Sequence, residues 1–284
     1  MKSLMNLAPV PLLHRLFVPA IRRNTAAFRL SILAQMEYRF NFFVDAFLQP
    51  ILLIAVEWLL WWSIFSASGQ STINGYPRES YLAYVIWAGF FGRLSANWMY
   101  ESRMCREIEL GTVNTILTRP ISFYEYYLSQ FIGYKAIVAL SSIGIPVISC
   151  WVLGLPVLWG HLPVALTLLF LYLIFTYTIS FCMASAAFFT TRISGFTGAK
   201  NILFWVLCGE TFPLDLLPPS FASIILSLPF CSGVYLPISL LTGRQSPSVL
   251  PSAFLSLLLG TIFFALTGRL LWKRGIAGYV GTGA

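Results

Sequence analysis

The chain has 284 residues, 58% hydrophobic, 16% aromatic and only 10% charged, with a formal net charge of +8 and a mean hydropathy of +0.78. A soluble domain of this size needs far more polar surface, whereas a bilayer tolerates an apolar exterior and makes charge costly, so the composition points to a polytopic membrane protein. The basic excess does not read as a nucleic-acid surface, because it follows the ends of the apolar stretches.

At the amino end, the apolar run Leu4 to Ala20 is broken by Pro9, Pro11, His14, Arg15 and Pro19 and does not read as a cleavable signal peptide. Phe28, Ile32, Met36 and Phe40 then recur at helical spacing opposite Arg29 and Arg39. Such a stripe suits a helix lying in the headgroup plane, or else an extension of the first span. Crossing a bilayer takes roughly 20 apolar residues, and 42–65, 81–100, 129–153, 163–190 and 249–271 meet that length. A sixth span, 199–212, is stopped in "CGETFP", and Pro213, Pro218 and Pro219 bar its continuation. Residues 212–241 are then read as helices that re-enter or lie at the outer surface. The expected fold is all-α and integral to the membrane. It comprises an N-terminal segment 1–41, a six-span domain 42–272 and a tail 273–284.

Basic residues set the orientation. Lys2, Arg15, Arg22, Arg23, Arg29 and Arg39 precede span 1, Arg103, Arg106 and Arg119 follow span 2, Arg192 and Lys200 follow span 4, and Arg269, Lys273 and Arg274 follow span 6. The opposite loops hold Arg78 and Arg244, so both termini are expected in the cytoplasm. The five cysteines, Cys105, Cys150, Cys182, Cys208 and Cys231, lack CxxC spacing and read as packing residues.

Residues 101–122, "ESRMCREIELGTVNTILTRPIS", are polar between two apolar stretches. They can form two short amphipathic turns hinged at Gly111. Met104 and Ile108 share one face, Leu110, Val113 and Leu117 follow at apolar spacing, and Arg103, Arg106 and Glu107 face the other way. Pro120 stops the helix, and Ser122-x-x-Glu125 is a capping box for the next. A terminated helix with both apolar and charged contacts suits docking of a soluble partner; the plainer reading is a solvated loop.

Within the apolar spans, Ala88, Gly92 and Ala96 form a small-residue ridge on span 2, with Arg93 and Asn97 beside it. By helical rise, Arg93 lies roughly 12 Å and Asp45 about 6 Å from the cytoplasmic side. An intramembrane Arg needs a partner, and an Asp45–Arg93 pair tying spans 1 and 2 is expected, structural in role. Glu57, Asn97 and Glu210 are candidates for a substrate path. Glu57 can equally snorkel beside Trp58, Trp61 and Trp62, and Glu210 can equally serve a turn at the end of span 5.

"REIELGTVNTILTRPIS" (Arg106 to Ser122) resembles the coupling segment of ABC type-2 transporter permeases, an acidic-Gly-x-x-x-x-Leu-x-x-Pro run after the second span. "CGETFPLDLLPPSFASIILSLPF" is similar to that family's interrupted fifth span, and "LWKRGIAGYVGTGA" to the Gly- and Tyr-containing tail of its antibiotic-export branch. The resemblance covers most of residues 28–284. It implies a dimer of six-span permeases, with a second identical or paralogous copy, in a bacterial plasma membrane. Two separate ABC ATPase subunits would bind ATP and Mg and drive export by alternating access. The residues it places at the coupling positions are Glu107, Glu109, Gly111, Leu117, Arg119 and Pro120, beside Arg103 and Arg106.

The residues agree that any ATP hydrolysis belongs to another chain. No G-x-x-x-x-G-K-[ST] occurs, and the nearest string, "GFTGAKN", has the wrong spacing. No catalytic grouping or metal-spaced cluster accompanies His14 and His161. An ion-coupled carrier is the rival reading, since intramembrane carboxylates and a broken helix also mark such proteins.

Overall fold

A computed structural model describes residues 12–37, 39–73, 75–190 and 192–279; the side chains of 12–21, 35 and 36 lie outside the description, and with them the expectations placed on His14, Arg15 and Met36. Among the described residues the architecture is all-helical apart from a hairpin of two two-residue strands. Four helical rods among the described residues are long and apolar enough to cross a membrane: Arg39–Ser68, Phe123–Val152, Trp159–Phe189 and Pro247–Gly278.

Helix α1 (Leu12–Glu37) is one element that begins well before residue 26. Its Ala27 and Ser31 are buried, and the Ser31 hydroxyl donates to the Gln130 carbonyl at 2.8 Å. Of the expected apolar stripe, Phe28 and Ile32 are half-buried, whereas Phe40 belongs to the next helix and is 77% exposed. The first rod consists of α2 (Arg39–Phe43), a π-helical turn (Val44–Leu48) and α3 (Gln49–Ser68). The wide turn carries Asp45, and π-turns inside α-helices tend to mark functional positions. Strands β1 (Thr72–Ile73) and β2 (Tyr76–Pro77) pair antiparallel at the far end.

Helix α4 (Arg78–Ser95) is the heart of the molecule, buried along almost its whole length from Tyr81 onward. Glu79 in its first turn and Arg93 in its last suit the helix dipole. It ends at Ser95, because Ala96 turns extended (φ −64°, ψ 126°). Ala96 therefore does not continue the Ala88–Gly92 ridge, and the expected span to residue 100 is in fact two helices. Helix α5 (Trp98–Glu109) starts inside it. A single turn, α6 (Asn114–Leu117), follows.

The capping box at Ser122 and Glu125 is made in both directions and starts α7 (Phe123–Ser142), which α8 (Gly144–Val152) extends. Helix α9 (Leu162–Ala186) runs through the core, and α13 (Leu250–Gly278) lies along it. The close approach depends on glycine: a Cβ on Gly268 would sit 3.1 Å from a Phe181 ring carbon and 3.3 Å from the Cys182 backbone. All five cysteines are free and buried.

Helix α10 (Ser194–Leu207) spans only about 21 Å at 1.5 Å per residue, short of a bilayer core of roughly 30 Å. Beyond it, α11 (Pro219–Ser227) is followed by α12 (Tyr235–Leu241), every residue of which is buried. The irregular backbone just after α10 is tied internally: Tyr235 N donates to the Cys208 carbonyl at 2.9 Å, and the Tyr84 hydroxyl donates to the Gly209 carbonyl. At this end Arg244 binds Asp215 (2.5 Å) and the Gly75 carbonyl (3.0 Å) and lies over the Tyr76 ring. The Asp215 carboxylate, hydrogen-bonded to it, raises the Arg244 pKa above its usual value. His161 is likewise architectural, its Nδ1 lying 2.9 Å from the Leu240 carbonyl.

Candidate functional site

The elbow after α5 has two faces. Met104, Cys105 and Ile108 point into the core together with Val113 and Ile116, so α5 is a three-turn amphipathic helix rather than one short turn. Gly111 adopts φ +74°, a left-handed conformation that a side chain would strain, and it ends α5 and opens the turn into α6. The surface left outside carries Arg103, Arg106, Thr112, Arg119 and Pro120, with Leu110 67% and Leu117 43% exposed on either side of the turn. Arg103 pairs with Glu107 one turn on at 3.7 Å.

The elbow is braced from within. Glu109 accepts a hydrogen bond from the Ile193 backbone N–H just before α10 (3.0 Å). The Tyr279 hydroxyl at the end of α13 donates to the Gly111 carbonyl (2.9 Å). Deeper along α5, Glu101 is fully buried and forms an ion pair with Lys200 of α10. It also accepts from the Ser180 hydroxyl of α9 at 2.5 Å.

Above the elbow, a polar seam surrounds the break between α4 and α5. Arg93 pairs with Asp45, donates to the Asp45 carbonyl (3.2 Å) and donates to the Tyr134 hydroxyl (2.9 Å), which in turn donates to the Asp45 carboxylate. Lys135 of α7 donates to the Arg93 carbonyl (3.3 Å) and to the Ala96 carbonyl, so a buried amine satisfies backbone groups released where α4 stops. Asn97 donates to the Thr176 carbonyl (2.9 Å) and to Ser180 Oγ (2.7 Å), joining this seam to the Glu101–Lys200 pair.

Glu210 follows the α10 turn and lies against Gly92: a Cβ there would come within 2.5 Å of its carboxylate. It shares with Arg93, Asn97, Gln49, Asn201 and Trp205 a cleft of about 260 Å³ between the first rod, the α4–α5 break and α10. Glu57 stands apart from this cleft, half-buried on α3. Trp58 and Trp62 stack beside it at 6.5 Å, while Trp61 turns inward onto Tyr81.

The arrangement is a set of braces around an exposed apolar-and-basic knuckle. The model of the ABC-2 family transporter proteins matches residues 51–283, most of the chain. The chain belongs to that family. No curated protein matches it. The matched residues of this ABC-2 permease include the elbow, Arg93, Glu210 and Tyr279, whereas α1 and Asp45 precede them. Lys135, Tyr134 and the Glu101–Lys200 pair escaped the sequence reading. Glu101 was detectable, because it precedes Met104, Cys105 and Ile108 at i+3, i+4 and i+7 and so shares their face.

Proposed function

We propose that this ABC-2 permease is the membrane subunit of an ATP-driven exporter, working as a dimer in a plasma membrane with both termini cytoplasmic. A separate ATPase subunit grips the elbow and supplies ATP and Mg chemistry. Nucleotide-driven closure of the ATPases displaces the elbow, and the permease passes between inward- and outward-open states that bind its substrate differently. The cleft holding Arg93, Asn97 and Glu210 is the candidate route. Six crossings follow if α4 and α10 with their flanking turns are counted beside the four apolar rods.

The observation that carries this reading is the exposure of Leu110 and Leu117 about a glycine turn whose other face is locked into the core. Two leucines in water on a braced knuckle suit a protein partner better than solvent. Replacing both by Asp is expected to leave the permease folded, since neither is buried, and to abolish co-purification of the ATPase. An unchanged complex would defeat the docking role. The ion-coupled alternative draws on Glu57 and Glu210; it requires activity without ATP in vesicles of the permease alone.

A further inference from the structure

The elbow is covalently continuous with α5 and α7, yet its Gly111 carbonyl is held by a side chain from the opposite end of the chain. The geometry points to Tyr279 as a positioning residue that makes α13 a second output of elbow movement. This rests on the reading that the ATPase acts at the elbow.

The contact is built rather than incidental. The Tyr279 ring packs edge-on to Phe188 (5.7 Å, 70°), and Phe188 packs edge-on to Trp272, about two turns earlier on α13 (5.4 Å, 72°). Trp272 in turn stacks on Phe123, the first residue of α7 (4.9 Å, 27°). Gly275 leaves the room this requires, because a Cβ there would fall 2.4 Å from the Phe188 ring. Four aromatic rings thus fix where the tyrosine hydroxyl sits, and they fix it against the carbonyl of the glycine at the turn.

The consequence is mechanical. Leu110 immediately precedes Gly111 and Leu117 lies in the helix after it, so a push on either bears on the backbone at Gly111, whose carbonyl Tyr279 holds. Movement there must either drag the end of α13 or break the Tyr279 bond. Because α13 lies along α9 through the glycine contact at Gly268, a drag on its end reaches the core helix. The Glu109–Ile193 contact is a parallel tether toward α10 and does not involve Tyr279.

Tyr279→Phe removes the hydroxyl and keeps the ring packing. In the permease–ATPase complex, amide exchange is followed over residues 108–118, 192–200 and 272–279 with and without ATP plus vanadate. In the wild type all three segments are expected to change. In Tyr279→Phe the elbow and 192–200 still change, the change at 272–279 is lost, and the resting elbow exchanges about two- to tenfold faster for want of one hydrogen bond. A nucleotide response at 272–279 that survives in Tyr279→Phe overturns the proposal. A wild-type elbow that is silent to nucleotide overturns the docking reading instead, and the second output with it.

Discussion

Glu101 and Lys200 form an ion pair across 99 residues of sequence, with the Glu101 side chain fully buried and that of Lys200 only 10% exposed. The pair fastens α5, which leads into the elbow, to α10, which borders the cleft. Breaking such a pair strands a charge in the core. Glu101→Leu or Lys200→Met alone is therefore expected to lower stability by about 3–5 kcal/mol, with the double replacement by these apolar residues recovering much of it. Thermal unfolding of the detergent-solubilised protein, read by scanning fluorimetry, checks both halves. Equal loss in single and double variants would show that the pair itself is not the relevant interaction.

The Asp45–Arg93 pair can be tested by exchange. Asp45→Arg alone places two cations together at the π-turn and should reduce the folded yield. Asp45→Arg with Arg93→Asp restores opposite charges, although the hydrogen bond from Tyr134 to the carboxylate has to re-form in a new geometry. Partial rescue in membrane expression and size-exclusion profile is the expected result. No rescue at all would leave Arg93 acting through some group other than Asp45.

Lys135→Met should loosen the α4–α5 break specifically. The Lys135 amine binds two carbonyls at the end of α4, and a hydrogen bond of this kind contributes about 0.5–1.5 kcal/mol. Exchange at residues 93–98 is expected to rise while the elbow at 108–118 stays protected. If the two segments loosen together, the break and the elbow form one cooperative unit.

Gly111→Ala forces a side chain into a left-handed conformation, at a cost of roughly 1–2 kcal/mol. The predicted outcome is a folded permease whose elbow is displaced, with ATPase binding weakened more than thermal stability. Pull-down of the ATPase against the unfolding midpoint separates these effects, and a parallel decline in both would assign Gly111 to folding alone.

Much of this protein could be read from its residues, and the reason is particular to its solvent. The rods Arg39–Ser68, Phe123–Val152, Trp159–Phe189 and Pro247–Gly278 announce themselves because a bilayer imposes a length and a polarity on each segment separately. The elbow was legible for a similarly local reason: a glycine, a proline and a capping box each act on their own backbone. The α4–α5 break was not legible, because "RLSANWMY" contains neither glycine nor proline. What ends α4 there is bound up with Lys135, 39 residues beyond Ala96, and with Thr176 and Ser180 of α9. The full length of helix α1 and its buried side were not legible for the same cause, since that side is defined by α7 and not by its own pattern.

The sequence alone determined that this is a helical membrane chain, where its apolar rods lie and where its polar elbow turns, since those properties follow from hydropathy and backbone chemistry within short windows. Only the tertiary structure decided which charges are neutralised by which, that Glu101 meets Lys200 and Asp45 meets both Arg93 and Tyr134, and that Tyr279 reaches Gly111. Coulombic and hydrogen-bond partners are chosen by distance in space, and a chain folded through several helices brings together residues that no local pattern can pair.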